Sequence, residues 1–143
     1  MQYGTFIVDG LLFGVEVRRI QEVIRAQEMT SVPLAPSVIG GLINLRGEIV
    51  TAIDLRERLQ LAPWPDGVAP MNVVVRTPEG AASLLVDQIG DVIDVGDDTF
   101  EPPPGNLTGV ARSLIRGAHK LDGQLLLVLD TDRALHPERA PVA

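Results

Sequence analysis

The chain has 143 residues, enough for one compact domain or for two small halves around a shared core. Hydrophobic residues make up 45% and aromatics only 3%, so the core must be aliphatic. A net charge of −7 with a single lysine excludes nonspecific nucleic-acid binding, and the lack of cysteine excludes disulfides and thiolate chemistry.

Gln2 to Val8 is predicted as a strand, followed by a turn at Asp9-Gly10 and a hairpin partner over Leu11 to Val17. Arg18 to Glu22 is predicted as a short helical turn and Val23 to Ala26 as a short strand. Thr30 to Pro36 carries two prolines and is expected to be extended. Ser37 is a candidate cap for one turn at Val38-Ile39. A second hairpin follows over Gly41 to Ile53, and Asp54 can cap a helix to about Leu59. Ala62 to Pro70, with three prolines, is the expected hinge. Met71 to Arg76 and Ala82 to Val86 form a hairpin around Pro78-Glu79-Gly80, and Gln88 to Val95 is another strand. Gly96 to Gly109 is a long connection. Ser113 to Lys120 and Gln124 to Leu129 pair around Asp122-Gly123, Asp130 caps a last helix toward Leu135, and His136 to Ala143 is a tail.

This order repeats. Gly41, Gly47, Asp54 and Leu59 correspond to Gly117, Gly123, Asp130 and Leu135 at one constant offset. Ile20-Gln21-Glu22-Val23-Ile24 corresponds to Ile89-Gly90-Asp91-Val92-Ile93. The fold class is therefore all-β with short helices. Two similar β-barrels of about five strands are expected, at roughly 1–61 and 71–135, within a single domain.

The repeat breaks at one turn. Asn44-Leu45-Arg46-Gly47 stands where the second half has Lys120-Leu121-Asp122-Gly123. Gly47 takes a positive φ cheaply, but a strand pair this apolar needs no arginine at its tip for folding. Arg46 is thus a candidate for recognition or, on the plainer reading, a solvated turn residue. Glu22 is either exposed or close enough to Arg46 for a charge-assisted fork.

These blocks resemble the CheW family of bacterial chemotaxis coupling proteins. Gly41-Leu42-Ile43-Asn44-Leu45-Arg46-Gly47-Glu48-Ile49-Val50 and its continuation to Leu59 resemble the family's central block. Phe6 to Gly10, Phe13 to Val17 and Ile20 to Ile24 are similar to its opening block. Val32-Pro33, Leu85-Val86-Asp87, Ile89 and Val92 follow in order, so the resemblance covers essentially the whole chain. It implies two five-stranded SH3-like subdomains and a non-catalytic adaptor without cofactor or metal. It implies coupling of chemoreceptors, by their cytoplasmic tips, to the regulatory domain of the histidine kinase CheA. Glu22, Asn44, Leu45, Arg46 and Gly47 are the partner-binding residues carried over. Val23, Ile24, Val86 and Ile89 flank the expected inter-barrel region and are candidates for an apolar groove, the alternative for each being core packing. A cytoplasmic protein recruited to membrane-associated receptor arrays is implied, monomeric alone, with contacts between copies possible in arrays. Related coupling proteins serve twitching or developmental pathways.

Signals for chemistry are sparse. His119 and His136 are far apart, His119 is read as structural or exposed, and no metal-ligand spacing exists. No phosphate-binding loop or nucleophile elbow is present, and Gly10 and Gly14 bracket a turn. Asp91, Asp94, Asp97, Asp98 and Glu101 read as a solvated acidic loop. No apolar run is long enough to span a bilayer, and Met1 leads into a strand rather than a signal segment. The competing reading is a small β-barrel that binds a ligand or peptide outside chemosensing. Scarce aromatics argue against it, Trp64 and Tyr3 being its only Trp and Tyr. A carboxylate enzyme would need a convergent polar pocket.

Overall fold

In the computed structural model, which describes residues 1–107 and 109–136, the strands fall into two antiparallel-rich sheets. They are β1 (Gln2–Val8), β2 (Leu11–Glu16), β3 (Ile20–Ile24), β4 (Ile39–Leu45), β5 (Glu48–Asp54), β6 (Met71–Thr77), β7 (Gly80–Val86), β8 (Gln88–Asp94), β9 (Phe100–Glu101), β10 (Ile115–Leu121) and β11 (Gln124–Leu129). Three short helices are α1 (Leu55–Arg58), α2 (Gly109–Ser113) and α3 (Thr131–Leu135). Asp54 and Asp130 cap α1 and α3, each carboxylate accepting from the backbone N–H three residues on.

Sheet order shows how the repeat folds. The six-stranded sheet runs β8-β1-β2-β11-β10-β9, and the five-stranded sheet runs β3-β6-β7-β5-β4. β8, β1, β2, β11 and β10 match β3, β6, β7, β5 and β4 in turn, down to one parallel pair in each, β2 with β11 and β7 with β5. The halves exchange their first hairpins. β1 and β2 join the sheet of the second half, while β6 and β7 join the sheet of the first.

The division expected at 62–70 is therefore not where the sheets divide. Residues 20–86 form the five-stranded sheet as one continuous segment, inserted between β2 and β8. Among the described residues the chain crosses between sheets only at the 3-10 turn Val17–Arg19 and at Asp87. The 62–70 segment joins α1 to β6 within one sheet. Two local expectations also shift. The strand placed at Val23 begins at Ile20, because β-branched Ile20 already pairs with Val75 of β6. The long 96–109 connection contains a 3-10 turn, Asp97–Thr99, and the short strand β9. Of the tail, only His136 lies within the described residues.

One face of each sheet contributes to a shared core. Phe6, Phe13 and Val15 of the larger sheet pack with Val73, Val75 and Leu84 of the smaller, and with Leu55 and Leu135 of α1 and α3. The opposite face of the larger sheet buries Tyr3, Leu126 and Val128 in a second cluster. The alternation of strand side chains produces both layers.

Arg56 of α1 ties the crossing at Asp87 in place. Its guanidinium donates from Nε to Asp87 Oδ1 at 3.0 Å and from Nη2 to Asp87 Oδ2 at 2.5 Å. Nη1 donates to the carbonyls of Ala62 and Pro63, and the group lies 5.0 Å from the Trp64 ring centroid. Trp64 Nε1 in turn donates to Asp54 Oδ2, the cap of α1, at 2.9 Å. The repeat places Asp132 where Arg56 stands, and Asp132 pairs with Arg19 at the other crossing, at 3.3 Å and more exposed. The buried pair is the stronger constraint, because loss of one partner strands a desolvated charge. Arg56→Ala is expected to lower unfolding free energy by about 3 kcal/mol in urea titration. Arg19→Ala is expected to change it by less than about 0.5 kcal/mol.

His119 is 1% exposed, on the buried face of β10 that also holds Gly117. Burial holds its pKa below the ordinary histidine value, with Asp97 opposing and the N-terminal ammonium reinforcing. The unfolded chain therefore binds more protons as pH falls through the ordinary range, so stability is present above about pH 6.5 and declines below it. His119→Ile copies the residue at the equivalent place, Ile43. Urea midpoints between about pH 7 and 5 should fall more for wild type than for the variant; parallel pH profiles would contradict the assignment.

Candidate functional site

The β4–β5 hairpin closes Leu45 against Glu48, leaving Arg46 and Gly47 as a two-residue turn. Both have positive φ, 52° and 85°, the type I′ geometry that matches strand twist. Asn44 Oδ1 accepts from the Gly47 N–H at 2.9 Å and fixes the loop. Asp122, the counterpart of Arg46, does not adopt positive φ. Arginine is thus held in a left-handed conformation that its internal counterpart avoids.

Arg46 and Glu22 meet. Nη1 donates to Glu22 Oε2 at 2.6 Å and Nη2 to Oε1 at 3.1 Å, a bidentate fork. Glu22 is on β3 and Arg46 follows β4, the two ends of the five-stranded sheet. The ladder does not close there. The fork spans the seam, together with a bridge in which Thr30 and Leu42 exchange backbone hydrogen bonds at 2.9 and 2.8 Å. The carboxylate raises the Arg46 pKa, chiefly through its hydrogen bonds. The Glu22 side chain is 17% exposed and that of Arg46 77% exposed. A guanidinium has five N–H donors; the two that grip Glu22 leave the others directed outward. In the other half the equivalent positions are Asp91 and Asp122, two acids that cannot pair.

Around this tip, Asn44 and Glu48 are exposed and Leu45 is half-buried. Ile49, which sequence reasoning did not single out, is 61% exposed beside them. The tip therefore offers an apolar side chain next to a fixed cation, a surface suited to another protein.

The groove candidates separate. Val23 and Ile89 line one apolar cleft between β3 and β8, with Ile20, Val73 and Val92. Its volume is about 150 Å³. Ile20 and Ile89, Val23 and Val92, and Gly4 and Val73 are repeat-related, so the cleft sits on the axis relating the halves. Ile24 does not line the cleft; it alternates with Val23 onto the other face of β3. Val86 is a correction. It is wholly buried in the shared core, because β7 lies between β6 and β5 and turns Val86 inward with Leu84. The internal repeat could have located Val92 as the partner of Val23.

Among the described residues no group of three or more His, Cys, Asp or Glu could hold a metal ion, and no helix is long and apolar enough to cross a membrane.

Two β-sheets fused through one core, with a charged tip and an axial apolar cleft, define a rigid scaffold. The family model described as the CheW-like domain matches residues 2–139, and the chain belongs to that family. The family is one of non-catalytic chemotaxis scaffolds. The chain is 29% identical over 133 residues to a chemotaxis protein CheW of Treponema pallidum, covering 90% of this chain and 78% of the relative. It is 28% identical over 139 residues to a chemotaxis protein CheW of Bacillus subtilis, covering 97% and 89%. The crystal structure of the scaffolding protein TtCheW from Thermoanaerobacter tengcongensis matches with a TM-score of 0.80 at 27% identity, covering 90% of this chain and 87% of that one.

Turn and fork make separable demands on position 46. Arg46→Asn restores the Asn-Gly pair that type I′ turns prefer and removes the fork. An exposed ion pair stabilises little. The thermal midpoint of Arg46→Asn is expected to equal or exceed that of wild type; a marked drop would make the fork a structural clasp of the seam.

Proposed function

We propose that this protein is a coupling scaffold. It binds the regulatory domain of the histidine kinase CheA through the Arg46 tip, and the cytoplasmic tip of a chemoreceptor through the cleft between β3 and β8. Recruitment to membrane-associated receptor arrays follows from these two contacts. The observation that carries the reading is the fork itself. A buried-side carboxylate orients an exposed guanidinium at a seam, where the pair adds little to stability. Pre-orientation lowers the ordering cost of a long side chain on binding. The cleft supports the second contact, because paired Ile and Val walls fit the apolar stripe of a helix.

Titration against a CheA regulatory domain tests the first contact. Arg46→Ala and Glu22→Ala should each weaken binding at least about tenfold with unchanged circular dichroism. Equal affinity in the folded Arg46→Ala variant would remove the tip from the contact. Val23→Asp tests the second. Val23 is 48% exposed, so folding should persist while affinity for a receptor-tip fragment falls and kinase binding does not.

A further inference from the structure

The larger sheet carries a polar cavity that the scaffold reading does not use. Its volume is about 190 Å³, and Tyr3, Asp97, Phe100, Arg116 and His119 line it. Tyr3 is 6% and His119 1% exposed, their rings 5.6 Å apart. Phe100 packs on the other side of His119 at 5.1 Å. Phe100 can reach there because residue 117 is glycine; a Cβ at Gly117 would lie 2.3 Å from the Phe100 ring.

Thr99 Oγ1 lies 2.9 Å from the Gly96 carbonyl and 2.8 Å from His119 Nδ1, within hydrogen-bond distance of both. His119 Nε2 is buried without a partner. Buried polar atoms are rarely left so. The Tyr3 hydroxyl has no hydrogen-bond partner among the described residues and is open to the cavity. Nor do Arg116 and Asp97 form an ion pair among the described residues. Both lie close enough to Tyr3 to influence its titration.

The other half shows what a closed version looks like. Ile43 stands at the place of His119, Asn72 at that of Tyr3 and Ser83 at that of Gly14. There Ser83 Oγ donates to Asn72 Oδ1 at 2.8 Å, so the interior satisfies itself. In the larger sheet a hydroxyl, a cation and an anion are left unpaired around one cavity.

We propose that this cavity binds a small zwitterion of free amino-acid size. Arg116 receives its carboxylate, Asp97 receives its ammonium, and the Tyr3 hydroxyl completes the polar contacts, the His119 ring forming part of the wall. The Phe100 ring covers its side chain. The size agrees, because sites for drug-sized ligands run to about 300–1,000 Å³. Neutrality agrees as well, since Arg19 and Glu16, also on the cavity wall, are already paired with Asp132 and Arg18. The proposal is independent of the partner-binding reading, and each can fail alone.

The test is isothermal titration of the intact protein with a panel of free neutral amino acids up to about 10 mM, beside acetate and methylamine. At least one amino acid should bind saturably, and the two half-molecules should bind at least about tenfold more weakly. Arg116→Ala and Asp97→Asn, both at exposed positions, should each weaken it about tenfold. The His119 imidazole nitrogen signals should shift on binding in nuclear magnetic resonance spectra. Absence of saturable binding across the panel overturns the proposal. So does binding that survives both substitutions, or binding of acetate or methylamine as tight as that of any amino acid.

Discussion

Everything in this fold hangs on the grip of Arg56 on Asp87. Among the described residues the chain passes between sheets at only two places, and one of them is Asp87. Asp87 is held from three sides: by the Arg56 fork, by its own N–H on the Ile7 carbonyl, and by the Asp9 N–H on its carboxylate. That knot binds α1, the β1–β2 turn and the start of β8 to one point. The charge is desolvated, so its partner cannot be traded for water at low cost. With this crossing fixed, the faces of the two sheets are aligned, and the aliphatic core between them follows.

The internal repeat supplies the scaffold, and its breaks supply the individuality of the two halves. Arg46 faces Glu22 where the second half has two acids. His119 faces a cavity where the first half has Ile43. Arg56 holds a buried carboxylate where the other crossing has Asp132 on a more exposed arginine. The first two breaks leave a polar group without a complete set of partners where the other half is self-contained, and the third makes one crossing firmer than the other.

Much of this was legible in the sequence, for identifiable reasons. Strand positions followed from aliphatic runs bounded by Asp-Gly and Arg-Gly turns, and Asp54 and Asp130 announced their helices. The repeat was visible because Gly41 and Gly117 are both required where a second segment passes close by. Pairing partners were not legible. β1 packs equally well beside either half, since both offer an edge with alternating aliphatics, and a local pattern carries no record of which edge is taken. Glu22 and Arg46 were suspected as a pair from their types, but only the curl of the sheet brings its two ends together. Nothing in the sequence separates Val86 from a cleft residue, because β-branched residues flanking a crossing look alike whether they face a cleft or the core. His119 reads in the sequence as structural or exposed, and the structure makes it structural, buried at the place that Ile43 holds in the other half.

The exchange of hairpins has a consequence for synthesis. β1 and β2 are made first, yet β11, the parallel partner of β2, begins only at Gln124. At ~5–20 residues per second, the hairpin waits on the order of ten seconds for that partner, with the Tyr3 face that Leu126 and Val128 cover left open. Meanwhile the 20–86 segment can assemble its whole sheet from contiguous chain. The nascent protein thus carries one complete sheet and, packed on it, a hairpin that still lacks its parallel neighbour.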